Sequence, residues 1–159
     1  MNNTIKDNLK IIEKNIESLQ DSVFEKIIIN ASKIIIDSLN QIANAQKIGA
    51  NTVICAHSKI LEKVLLILTE EGFVRGFFKE KVGTSLKCYV LLKYVNDQPA
   101  IQKVIFESRP GLKRFKKWKD LNKLMNGVGI SVLSTNQGIM TNEKAFYRKT
   151  GGQCLFKIF

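Results

Sequence analysis

The sequence predicts an α/β (α+β) protein built as two small tandem modules. The first runs helix–strand–helix into a strand meander, and the second mixes strands with a short helix. Three observations carry this expectation. Apolar residues recur at helical spacing up to about residue 70, short β-branched runs separated by turn residues dominate afterwards, and Pro110-Gly111 interrupts the pattern between the halves. With 159 residues, 45% of them apolar, the chain is long enough to bury a core and too apolar to remain unfolded.

Residues 1–34 read as a helical N-terminal extension. Ile5, Leu9, Ile12, Ile16, Leu19 and Val23 alternate by four and three, the narrow stripe of an amphipathic helix or a short coiled-coil seam. Such a stripe needs a surface to cover, either the chain's own N-terminal module or a neighbouring protein. Residues 35–108 form the N-terminal α/β module. A helix carries Ile35, Leu39 and Ile42 on one face and stops at Gly49, and Thr52–Ala56 is a strand. Ser58 caps a helix with Ile60, Leu61, Val64, Leu65 and Leu68 inward and Gly72 at its end. Strands over 73–80 and 86–95 turn at Gly83, and Asn96-Asp97 leads into a further strand over about 100–107.

Residues 109–159 form the C-terminal module. Asp120 is expected to cap a short helix bearing Leu121, Leu124 and Met125, closed by Gly127. Val128, Ile130 and Val132 alternate as a strand, Asn136-Gln137-Gly138 is a polar turn, and Cys154–Phe159 is the last strand.

Net charge is +11, and it is unevenly placed. Residues 1–56 sum to zero, residues 57–100 to +2 and residues 101–159 to +9. A field concentrated in one third of a chain favours a polyanion over an anionic membrane or a merely solvated face. Its densest part, Lys113, Arg114, Lys116, Lys117 and Lys119, is interleaved with Phe115 and Trp118. Cations there would steer a nucleic acid, and the aromatic rings would either stack on bases or pack in the core.

Other chemistries find little support. No run of about 18 apolar residues is present to span a bilayer. The acidic, Arg-free N-terminus resembles neither a secretory signal nor an Arg-rich transit peptide. Cys55, Cys88 and Cys154 are widely spaced and read as buried thiols of a reducing compartment. With His57 they lack the paired spacing of a zinc site, and Cys55 beside His57, the only His, reads as a core cysteine at a polar strand end instead of a nucleophile pair. Gly127-Val128-Gly129 lacks the third glycine of a phosphate loop and follows a helix instead of opening one. With a single His and few acidic residues, the sequence points away from an enzyme, and no metal or cofactor is expected.

A more specific pattern lies in the C-terminal half: Ser108-Arg109-Pro110-Gly111-Leu112, then Gly127-Val128-Gly129-Ile130, then Ser134–Thr141, then Gly151-Gly152. Upstream stand Asp37–Ala45 (DSLNQIANA), Ser58-Lys59-Ile60 and Glu70-Glu71-Gly72-Phe73. In this order and spacing, residues 35–159 resemble the bacterial-type family of the eighth protein of the small ribosomal subunit. That resemblance implies two tandem modules, binding to the central domain of small-subunit ribosomal RNA, support of subunit assembly, and neighbouring ribosomal proteins as partners. It implies RNA contacts at Asn44, Ser58, Lys59, Arg109, Lys113, Arg114, Lys116, Lys117, Ser134, Thr135, Asn136, Gly138, Met140, Gly151 and Gly152. Hydroxyls of the 134–141 loop would read 2′-hydroxyls and base edges, and the glycines would let backbone approach the RNA. Where the family commonly has arginines in its first helix the chain has Gln41 and Ala43. Asn136 replaces a frequent serine, and Gln153 a frequent acidic residue. These departures and the extension favour a mitochondrial ribosome over a bacterial or plastid one. A free RNA-binding translational regulator would use the same surface and is the alternative reading.

Overall fold

The computed structural model describes residues 32–109, 111–121 and 129–159. The helix expected over residues 5–23 and the positions expected for Leu124, Met125, Gly127 and Val128 lie outside them.

Helix α1 covers residues 32–47. Ile35, Leu39, Ile42 and Gln46 recur at three- and four-residue spacing and are all buried. Gly49, at φ 77°, takes the chain out of the helix in the left-handed region that glycine occupies without penalty. Strand β1 (Thr52–Ala56) follows, then helix α2 (Lys59–Glu70), whose first turn is capped by the Ser58 hydroxyl accepting from Leu61 N at 3.0 Å. Leu61, Val64, Leu65, Ile67 and Leu68 form its buried face, and Ile60 is only partly covered. Strands β2 (Val74–Val82) and β3 (Ser85–Leu92) make a hairpin, giving an antiparallel sheet of order β1-β3-β2. Gly83, at φ 63°, opens its two-residue turn.

The chain does not continue as a strand to residue 95. Asn96 (φ 50°) and Asp97 (φ 61°) both adopt left-handed backbone, which closes a small hairpin of β4 (Tyr94–Val95) and β5 (Gln98–Pro99). Strand β6 (Val104–Phe106) is shorter than expected and leaves the meander. It pairs with the last strand of the chain, anchored where Gln102 N and Lys103 N donate to Phe159 O. Strand β7 (Phe115–Lys116) leads into helix α3 (Trp118–Leu121). Asp120 sits inside the first turn of α3 and is not its cap, with its N–H bonded to Lys117 O. Strands β8 (Ile130–Thr135) and β9 (Gly138–Thr141) form the second hairpin. Helix α4 (Asn142–Tyr147) was not anticipated; its cap is the Thr141 hydroxyl, accepting from Lys144 N. Strand β10 (Gly152–Ile158) begins two residues earlier than expected. The second sheet runs β6-β10-β8-β9, with β7 also on β10, and every ladder is antiparallel.

Two buried clusters hold these layers. The larger joins α1, α2 and the first sheet to Val132, Phe156 and Ile158 of the second. The smaller gathers Leu121, Leu133, Met140, Ala145 and Cys154, with Trp118 and Phe146 packed on it. The second sheet is therefore apolar on both faces. Cys55, Cys88 and Cys154 are buried free thiols, and burial pushes Cys55 and Cys154 up to about 11.

One polar side chain ties the first cluster together. The Gln46 amide, 1% exposed, donates to Phe73 O and Lys93 O and accepts from Ile101 N at 2.9 Å. Replacing Gln46 with Leu adds apolar bulk but strands two carbonyls and an N–H, each worth about 1–3 kcal/mol when buried and unpaired. Gln46→Leu should therefore lower stability by roughly 2 kcal/mol or more in urea unfolding. An unchanged midpoint would show that these groups find other partners.

Candidate nucleic-acid interface

The second sheet sets the basic strand, the glycine pair and the hydroxyl turn side by side. Across β7, β10, β8 and β9 one row reads Phe115–Gln153–Ser134–Ile139. The next reads Lys116–Gly152–Thr135–Gly138. Residues opposite one another in antiparallel pairs share a face, so Ser134 and Thr135 lie on opposite faces. Ser134 points to the side where Ile139 meets the larger cluster, and Thr135 to the side of Leu133 and Met140.

The two hydroxyls differ in use. Thr135 Oγ1 donates to Gly138 O at 2.8 Å and accepts from Gln137 N at 3.1 Å, closing the turn over Asn136 and Gln137. Its one donor is spent there, leaving a single acceptor lone pair. Ser134 is half-buried, and although its backbone belongs to the ladders with β10 and β9, its hydroxyl bonds to no other described residue. Exposed Asn136 accepts from Thr150 Oγ1 at 3.0 Å, which pins the turn to the residue before the glycine pair.

The glycines serve the protein's own backbone first. A Cβ on Gly152 would lie 2.3 Å from Ser134 O, and one on Gly151 would lie 2.6 Å from Lys116 O. They let β8 and β7 close on the start of β10 and bring the three segments within one surface.

The basic run is fixed from beneath. Buried Ser108 donates to Cys154 O and accepts from Arg114 N at 3.0 Å, while Cys154 N donates to Arg114 O at 2.8 Å. Arg109 and Leu112 exchange backbone hydrogen bonds around Gly111, at φ 88°. Arg109, Lys113, Arg114 and Lys117 are exposed. Lys116 is not free: it pairs with Glu107 at 3.2 Å, and Lys157 reaches the same carboxylate at 2.6 Å. Burial pushes Glu107 upward, but hydrogen bonds from Lys157 and Lys116 outweigh it and hold the carboxyl below its usual value. Phe115 is 70% exposed, whereas Trp118 packs against Phe146 at 6.1 Å with Lys119 over its ring.

The remaining expected contacts fall elsewhere. Met140 is 4% exposed within the smaller cluster and offers packing instead of surface. Asn44 is exposed on α1, Lys59 is exposed at the start of α2, and the Ser58 hydroxyl is occupied as that helix's cap. Sequence reasoning passed over Glu107, which holds Lys116, and Ser108, which anchors Arg114. Ser108 opened the first motif, but its bridging role depends on Cys154, 46 residues away.

Among the described residues, no group of three or more His, Cys, Asp or Glu could hold a metal ion, and no helix is long and apolar enough to cross a membrane. What fold and surface define is a small basic α+β protein whose polar groups converge on one strand-edge surface. Ribosomal protein S8 is the family whose pattern matches residues 33–159. The small ribosomal subunit protein uS8 of Wolbachia sp. subsp. Brugia malayi (strain TRS) is 38% identical over 123 residues, 77% of this chain and 94% of that protein. The uS8 protein of Legionella pneumophila (strain Corby) is 37% identical over 125 residues, 78% of this chain and 96% of its own. That of Nitrosomonas europaea is 36% identical over 121 residues, 76% and 92% of the two chains. The chain belongs to the ribosomal protein S8 family, a family of structural, non-enzymatic proteins.

The glycine packing is directly testable. Gly152→Ala forces a methyl into Ser134 O and should cost at least about 2 kcal/mol. Gly76→Ala, where a Cβ meets nothing within 4 Å, should stay within about 1 kcal/mol. Equal thermal shifts for the two would contradict the close-approach role.

Proposed function

We propose that this chain is a structural constituent of the small ribosomal subunit that binds the central domain of its ribosomal RNA and supports assembly. Residues 109–159 carry the RNA contact, and the extension over residues 1–34 docks on protein. The observation that carries this reading is the register across β7, β10 and β8. It aligns a basic strand, a glycine pair and a hydroxyl turn within the third of the chain that holds +9 of the net charge.

The chemistry suits irregular RNA. Exposed Arg109, Lys113, Arg114 and Lys117 supply affinity through phosphates without reading sequence. The Ser134 hydroxyl can both donate and accept, which matches 2′-hydroxyls and minor-groove base edges. Residues 1–31 carry nearly balanced charge and an apolar stripe, which favours a protein surface over RNA for them. The family match begins at residue 33, so the extension stands apart from it. Together with the altered residues at 41, 43, 136 and 153, this favours a mitochondrial ribosome as the setting.

Titrating the full chain against a central-domain helix transcript and an unrelated duplex tests the assignment. Replacing Lys113, Arg114 and Lys117 with Gln should weaken both complexes and lower the slope of log affinity against log salt by up to about 0.9 per lost contact. Ser134→Ala should weaken the transcript by roughly five- to a hundredfold and leave the duplex nearly unchanged. Equal loss on both RNAs would contradict a readout role for Ser134, and an unchanged slope would reduce the cations to a solvated face.

A further inference from the structure

The turn that ends α4 carries a group that the β7–β10–β8 surface does not use. Tyr147 is 71% exposed although it belongs to a helix packed on the smaller cluster. Its ring meets Phe146 in a T-shaped contact at 6.0 Å, and Phe146 in turn packs on Trp118. The ring is thus braced from one side with a face left to solvent. Exposed Arg148 and Lys149 follow it directly.

The backbone here is built tightly and at a cost. Thr150 N donates to Ala145 O and Lys149 N to Phe146 O, both at 3.0 Å, the paired bonds of a Schellman end. This motif puts the residue just past the helix cap in the left-handed region, where glycine is the unstrained choice. Lys149 occupies that position at φ 51°. Thr150 then bonds to Asn136 Oδ1, so the turn is tied to the hydroxyl loop through one hydrogen bond.

We infer that Tyr147, Arg148 and Lys149 form a second RNA subsite, in which the Tyr147 ring stacks on an unpaired nucleobase and the two cations hold its flanking phosphates. A braced, exposed aromatic ring beside cations is what stacking on single-stranded nucleotides requires, and every base offers a π-face to it. This rests on the reading that the C-terminal half binds RNA. It adds the class of element recognised, a bulged or looped nucleotide on the α4 side of the second sheet, the face opposite Ser134.

Anisotropy titrations of the full chain test it with two probes, a central-domain transcript retaining its unpaired nucleotides and a fully paired duplex of equal length. Tyr147→Ala should lower affinity for the irregular transcript about tenfold and leave the duplex within twofold, while Tyr147→Phe should bind like the wild type. Lys149→Gly should raise Tm by about 2 °C and lower the salt slope by up to about 0.7–0.9. Wild-type affinity in Tyr147→Ala, with the variant folded by circular dichroism, would overturn the subsite. If Ser134→Ala still lost the transcript in that case, the RNA reading would stand without it. Loss of neither would remove the subsite and the Ser134 readout together.

Discussion

Strand β10 accepts β6 and β7 along one edge and β8 along the other. At its start the neighbouring backbones come so close that a methyl group at residue 151 or 152 would overlap a carbonyl oxygen. Steric exclusion of this kind is steep, and only glycine satisfies it at both positions. The rest of the surface follows from that closeness. It sets the basic strand and the hydroxyl turn two strand spacings apart, in fixed register, on either side of the start of β10.

The same strand couples that surface to the whole core. Phe156 and Ile158 enter the cluster built by α1, α2 and the first sheet, while Cys154 enters the smaller one beneath α3 and α4. The shift of register between Cys154 and Phe156 makes this division possible, since it moves the later residues of β10 to the opposite face. A ribonucleoprotein component gains from such an arrangement. The polar groups proposed to meet RNA are held by packed backbone, so little ordering entropy would be lost on binding. Glu107, shared by Lys116 and Lys157, works in the same direction by holding one lysine of the basic run against the sheet.

Local signals were legible in the sequence and long-range ones were not. β1 falls at Thr52–Ala56 as read, and α2 has the expected Ser58 cap and buried face, because capping, apolar spacing and glycine terminators act within a few residues. The three thiols are buried as read. The partner of β6 was hidden, since neighbouring strands pair in sequence order often enough to make the meander the default. Helix α4 was hidden because its cap, Thr141, is also the last residue of β9, and its six residues are too few to show a helical apolar period. In the candidate surface, residue types and order were legible, but which of them are free was not. Lys116 pairs, Thr135 closes a turn, Met140 is core and the glycines pack against protein, each for reasons set by residues distant in sequence.

RNA is proposed to meet the chain along the β7–β10–β8 register. Amide chemical-shift mapping of the full-length, ¹⁵N-labelled protein with a central-domain helix transcript tests this most directly. The largest shifts are expected at residues 113–117, 134–138 and 151–153, with the β2–β3 hairpin tip around Gly83 unmoved. Shifts concentrated on the first sheet, with the 134–138 turn silent, would contradict it.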